Sequence, residues 1–194
     1  MTTKFAFDLD GTVTTVETLP LLARELGLSL EMQTLTELTL DGKIPFEQSF
    51  RLRHFILSRI PLERIREIMS TVPLDSAIEQ FILERREQCA LVTGNLDRWI
   101  EPLAARLQCE TFASTLDSEG RLHVLDKSAA IKKLRSSAKK VIAIGESFND
   151  LSMLRAADVS IAYGGVHRPI DAVISSADFV VFDGVSLCRL LKTF

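Results

Sequence analysis

Two acidic turns, far apart in the chain, carry side chains that could act together. The first is Asp8-Leu9-Asp10-Gly11-Thr12, directly after the apolar run KFAF. Its carboxylates are two positions apart, so in extended backbone both project to the same side. Carboxylates crowded in this way are costly without a cation and useful with one. Mg²⁺ prefers oxygen ligands and is usually held by one or two carboxylates, waters and a substrate phosphate. The same residues could also form a plain acidic turn, with Gly11 supplying an unusual backbone angle. The second turn, Gly145-Glu146-Ser147-Phe148-Asn149-Asp150, follows the run VIAI and could equally be a helix start capped by Asn149 or Asp150. Thr93-Gly94-Asn95 ends a third apolar run and offers a hydroxyl and backbone N–H groups to a phosphate oxygen, although alone it is a common turn. Lys127 adjoins Asp126, the expected N-cap of a helix, where the helix dipole disfavours a cation unless carboxylates and phosphate face it. Lys132 and Lys133 are its rivals for that role.

The elements that must position these groups follow from periodicity. KFAFD at 4–8 reads as a buried strand delivering a loop. From about Leu19 to Met69 the rhythm is helical, with breaks at Gly27, Asp41-Gly42 and Pro61, which makes a block of about four helices. Beyond Pro73, helices near 75–87, 96–107, 128–136 and 149–156 alternate with strands at 89–94, 111–115, 140–145 and 159–163. LDSEGRLHVL is expected to form a small hairpin turning at Glu119-Gly120. A helix opened by Pro169, the strand DFVVF and a short last helix complete the chain. Apolar strands alternating with amphipathic helices indicate a doubly wound α/β fold, a parallel sheet covered on both faces. Parallel strands end on one edge, so Glu146 and Asp150 are expected beside Asp8 and Asp10, where such sheets bind ligands. The helical block reads as a cap over that edge, giving a core of 1–14 and 74–194, a cap of 15–73, and hinges near 15 and 73.

Two cap residues stand out. Phe46, Phe50, Arg53 and Leu57 fall at offsets of four, three and four, so Arg53 interrupts an apolar stripe and needs a partner. That partner could be a ligand or an ion pair within the cap, or the side chain could snorkel to solvent. Glu17 closes Thr14-Thr15-Val16-Glu17, which has the spacing of a capping box.

Composition narrows the function. The 194 residues are 46% hydrophobic and 25% charged, an ordinary globular balance. The 23 Lys and Arg against 26 Asp and Glu leave a net charge of −3 with no basic block, which argues against nucleic acid as partner. Apolar runs fall far short of the ~18 residues of a membrane span. The start MTTKFAFDLD lacks the features of a signal peptide, so a cytoplasmic location is expected. Cys89, Cys109 and Cys188 are odd in number, dispersed and next to apolar stretches, which suggests buried thiols. His54, His123 and His167 are too scattered to suggest a zinc site.

The ordered set of DxDGT, a strand-ending Thr, a Lys and an acidic motif resembles the haloacid dehalogenase superfamily along the whole chain. The resemblance implies Mg²⁺-dependent phosphoryl transfer through an aspartyl phosphate. Asp8 would then be the nucleophile and a metal ligand, and Asp10 would protonate the leaving group and activate water. Thr93 and Lys127 would hold the transferring phosphoryl oxygens. Asp8, Asp10 and Glu146 would make up the metal set, supported by Asp150, and Gly94, Asn95 and Asn149 would line the phosphate and substrate loop. Within the superfamily the chain resembles the phosphoserine phosphatase group, on a Glu nine residues after the nucleophile (Glu17) and on G-x-x-x-F-x-x-S-x-x-x-R, here Gly42, Phe46, Ser49 and Arg53. That implies a small phosphorylated metabolite such as phosphoserine, read by Glu17 and Arg53. Glu146 replaces the usual Asp, Asn95-Leu96 replaces Gly-Phe, and Gly164-Gly165-Val166-His167-Arg168 departs from the group's pattern. Rival readings are a phosphotransferase passing phosphate to a second alcohol, a receiver-like Mg²⁺-binding module, a dehalogenase and a catalytically dead binding module.

Overall fold

The computed structural model describes residues 2–194. Six strands run parallel: β1 (Thr2–Phe7), β2 (Cys89–Leu96), β3 (Glu110–Leu116), β5 (Ala138–Gly145), β6 (Val159–Tyr163) and β7 (Phe179–Val181). The short β4 (Leu122–His123) pairs antiparallel with β3, and the sheet order is β4-β3-β2-β1-β5-β6-β7. The chain therefore winds outward from β1 in one direction and then in the other. This reversal beside β1 leaves a crevice beyond the strand ends.

Side-chain alternation builds two unlike faces. Phe5, Phe7, Leu91, Ile142 and Ile144 point to one face and Ala6, Ala90, Val92, Val141 and Ala143 to the other. The bulky face packs on α5 (Ser76–Glu84), α6 (Asp97–Leu107) and α10 (Gly184–Leu191), with Phe81 of α5 edge-on to Phe5 and Phe7 at 5.2 and 6.2 Å between ring centres. The small-residue face receives α7 (Lys127–Arg135), α8 (Leu151–Ala156) and α9 (Asp171–Ser176) through Ala130, Ile131, Met153, Leu154 and Val173. Double burial fails at the edge: Phe179 and Val180 of β7 are exposed, because this three-residue strand has a neighbour on one side only.

Four helices follow β1, as periodicity predicts: α1 (Thr18–Ala23), α2 (Ser29–Leu40), α3 (Phe46–Leu57) and α4 (Leu62–Ser70). The chain enters and leaves this block through two segments clasped side by side. Thr15 N–H donates to Pro73 O at 3.0 Å and Asp75 N–H to Val13 O at 2.9 Å, around a bridge between Thr14 and Leu74. A second tie is made at Pro102, inside α6. Proline has no N–H to give the carbonyl four residues back, and Arg66 Nε of α4 reaches that carbonyl, on Arg98, at 3.4 Å. Local boundaries differ from expectation in several places: the helix expected to 87 ends at Glu84 and the strand expected to 94 runs to Leu96. The helix expected from Pro169 begins at Asp171, and the turn at 148–150 is capped by Ser147, to which Asp150 bonds back. All three cysteines are free; Cys89 and Cys188 are buried and Cys109 half-buried.

Candidate active site

The three functional turns meet at the C-terminal edge of the sheet. Asp8 continues the ladder, its N–H donating to Ile144 O at 2.9 Å, so its side chain leaves the sheet edge in a fixed direction. The chain then doubles back in a wide turn closed by Thr14 N–H on Leu9 O at 2.9 Å. Gly11 in that turn has φ +75°, and a Cβ there would strike the Glu146 carboxylate, so both the angle and the space call for glycine. Asp10 is held on both oxygens. Oδ1 accepts from the N–H of Thr18 at 3.2 Å and from its hydroxyl, and Oδ2 accepts from Asn95 Nδ2 at 3.3 Å. The same Asn95 amide donates to Thr18 Oγ1 at 2.9 Å, while Asn95 Oδ1 accepts from Leu96 N–H at 2.8 Å. Asn95, expected in the phosphate and substrate loop, lines the cavity there, and its side chain also braces Asp10. Thr93 is buried and accepts from Asn95 N–H at 3.0 Å, which leaves its hydroxyl proton free to donate. Gly94 lies under the Phe46 ring, which would overlap a Cβ there, and so lets α3 settle onto this loop.

Lys127 opens α7 with Asp126 as N-cap, and its ammonium, 2% exposed as a residue, donates to Asp8 Oδ1 at 2.5 Å and to Asp150 Oδ1 at 2.6 Å. Burial works against its charge, but Asp150 and Asp8 outweigh it and hold the ammonium above the usual lysine range. The rivals Lys132 and Lys133 lie in the last turn of the helix. Asp150 is completely buried, and its Oδ2 accepts from Glu146 N–H, Ser147 N–H and the Ser147 hydroxyl at 2.9–3.0 Å. Both of its oxygens, expected near the metal, are engaged by protein donors.

Glu146 contrasts with Asp150. It is 2% exposed and neither of its oxygens has a protein partner. Burial, reinforced by Glu17 and then Asp8, pushes its carboxyl up to about 10. A buried carboxylate without a protein donor is stabilised by a cation, and oxygen donors of this kind suit a hard divalent ion. Glu17 does not close a capping box. The Thr14 hydroxyl instead accepts from Gly11 N–H at 3.1 Å and reaches Val16 O at 2.8 Å, while Glu17 Oε1 lies 3.2 Å from His167 Nε2. His167 is the residue that sequence reasoning missed. Among three dispersed histidines only its unusual loop marked it, and the fold brings it to Glu17 and Glu146. His54 instead stacks on Trp99 and His123 pairs with Asp117.

Arg53 is 3% exposed, so it does not snorkel, and it makes no ion pair among the described residues. Its Nη1 donates to Thr36 Oγ1 at 3.2 Å, Phe46 lies 5.7 Å from the guanidinium, and Nε and Nη2 are buried without acceptors. Burial pulls its pKa down to about 10. A compact cavity of about 50 Å³ joins Asp8, Asp10, Glu17, Arg53, Thr93 and Lys127, with Asn149 and Gly94 also on its wall. The arrangement can bind a small anion between Lys127 and Thr93, present a carboxylate to it, and hold a second carboxylate ready for proton transfer.

The model of the haloacid dehalogenase-like hydrolase family matches residues 5–155. The phosphoserine phosphatase of Methanocaldococcus jannaschii is 28% identical over 177 residues, covering 81% of this chain and 83% of that protein. Two solved structures are similar throughout. A phospho-aspartyl intermediate analogue of phosphoserine phosphatase superposes with a TM-score of 0.82 at 25% identity, over 100% of both chains. A substrate-bound phosphoserine phosphatase complex gives 0.83 at 25% identity, over 100% of this chain and 99% of the other.

Proposed function

The chain belongs to the haloacid dehalogenase-like hydrolases and is a phosphatase of that family, and from this premise we propose that it hydrolyses a small phosphomonoester through a phosphorylated Asp8. The observation that carries this reading is the buried Asp8–Lys127 pair at the end of the central strand, with Asp10 fixed on both oxygens two residues away. Asp8 attacks phosphorus as the ester oxygen leaves, and Asp10 gives that oxygen its proton. Asp10 then takes a proton from the water that attacks the aspartyl phosphate, which returns Asp8 and releases phosphate. Lys127 and the Thr93 hydroxyl receive the phosphoryl oxygens and offset the repulsion between carboxylate and phosphate. Asp150 keeps Lys127 aimed at Asp8, and Asn95 with Thr18 keeps Asp10 in place. Asp8, Asp10 and Glu146 would hold Mg²⁺, whose bound charge supplies further neutralisation of the phosphoryl group.

The substrate is a small zwitterion of the phosphoserine kind. Support comes from the free edge of the Arg53 guanidinium at the cavity, which suits a carboxylate, and from the similarity to phosphoserine phosphatases. Residues 1–14 and 74–194 act as the catalytic core and 15–73 as its cap, a division supported by the clasp at Thr14 and Leu74. The test is phosphate release from phosphoserine and from an aryl phosphate, with and without Mg²⁺. Mg²⁺-dependent release from both, absent in Asp8→Asn, is the expected result. Substantial activity in that variant would overturn the mechanism, and inactivity of the wild type on phosphoserine alone would move the substrate to another small ester.

A further inference from the structure

We propose that Glu17, Glu146 and His167 form a site for a first-row transition ion of the Zn²⁺ or Co²⁺ kind, different in ligand chemistry from the all-oxygen set proposed for Mg²⁺. Three separate parts of the chain converge there: the residue before α1, the end of β5 and the loop after β6. One ligand atom from each lies within 4.8 Å of the other two. Two ligands on one such ion, at bonds of about 2.0–2.2 Å, can stand no more than ~4.4 Å apart, so small side-chain movements close the set.

Among the described residues the Glu146 carboxyl has no protein partner, and Glu17 and His167 have each other. Glu146 is nine-tenths buried or more with both oxygens unpartnered, while Glu17 Oε1 and His167 Nε2 are buried facing each other at 3.2 Å, an imidazole and a carboxylate that one ion could bridge. Both carboxylates lean over the same bare backbone: a Cβ on Gly11 would meet Glu146 Oε1 and come to 3.1 Å from Glu17 Oε1. Two facing buried carboxyl groups can both ionise only with positive charge between them. The third group is an imidazole nitrogen, a donor that suits Zn²⁺ and its neighbours and that the harder Mg²⁺ takes poorly. The longer side chain of Glu146, in place of the Asp usual in the resembling family, carries its carboxylate toward this imidazole. Because Glu146 serves both sets, an ion held by Glu17 and His167 withdraws it from the Mg²⁺ set. This consequence rests on the proposed phosphatase reaction, whereas the binding itself does not.

The experiment is Co²⁺ titration of the metal-free full chain without Mg²⁺, followed by visible absorption and by displacement with Zn²⁺. One Co²⁺ per chain with a ligand-field band is expected, and Zn²⁺ should abolish that band. His167→Ala, in a half-exposed loop, should lose the band and bind Zn²⁺ about tenfold or more weakly, whereas Asp8→Asn should keep it. No band, a band untouched by His167→Ala, or its loss in Asp8→Asn would each overturn the site. Phosphate release, assayed separately, reports on the phosphatase reading, and its absence would leave the Co²⁺ result standing.

Discussion

Asp10 meets three protein donors before any ligand arrives, two from Thr18 and one from Asn95. A proton-transfer group fixed in this way needs no reorganisation during the reaction. Asp10→Asn should slow turnover by ~10²–10⁴, the usual scale for a general acid–base group, measured as kcat under saturating substrate. Asn95→Ala removes one of the donors and should lower kcat by about tenfold with KM little changed, which corresponds to ~1.4 kcal/mol of transition-state stabilisation. A rise in KM alone would place Asn95 with the substrate. Arg53 gives the sharpest test of specificity. Arg53→Ala should cost ~2–5 kcal/mol in kcat/KM for phosphoserine and little for a neutral aryl phosphate. Equal losses on the two substrates would assign Arg53 to packing of α3.

At the scale of elements, the helical block shares an apolar cluster with the core and is joined to it by specific polar and aromatic contacts. They include the clasp at Thr14 and Leu74, the Arg66 bond to the carbonyl freed by Pro102, Phe46 seated on Gly94, Thr18 on Asp10 and Asn95, and Phe50 and His54 against Trp99. Phosphoenzyme chemistry requires water to be excluded before attack and admitted afterwards, so we expect residues 15–73 to move as a lid. Hydrogen exchange with and without a beryllium fluoride complex, a phosphoryl mimic, checks this. Protection should rise across 15–73 on binding, and exchange indifferent to the complex would make the block fixed packing.

For the whole molecule, the unequal sheet faces carry the stability. The bulky face concentrates aromatic and aliphatic volume under α5, α6 and α10, and Phe81 sits between Phe5 and Phe7 with 2% of its surface exposed. Phe81→Ala should destabilise the protein by ~3–5 kcal/mol in denaturant unfolding, since the lost contacts are compounded by the cavity left behind. The opposite face is lined by Ala6, Ala90 and Ala143, which let α7 and α8 pack close to the strands. This closeness brings Lys127 within bonding distance of Asp8 from a point 119 residues away in the chain.

The doubly wound fold, the four inserted helices and the meeting of Asp8, Asp10, Thr93 and Lys127 at one edge were legible in the sequence. They depend on local period and on the rule that parallel strands end together, and both are written in neighbouring residues. The roles of Asp150, Asn95 and His167 were not. Asp150 could have faced a metal or a lysine, and only the packing of α7 decided that its oxygens meet Lys127. Asn95 turned to Asp10 because Thr18, 77 residues earlier in the chain, stands beside it. His167 lay among dispersed histidines with no ligand spacing. Its approach to Glu17 and Glu146 comes from the loop that follows β6, a path set by tertiary contacts and carried by no periodic signal.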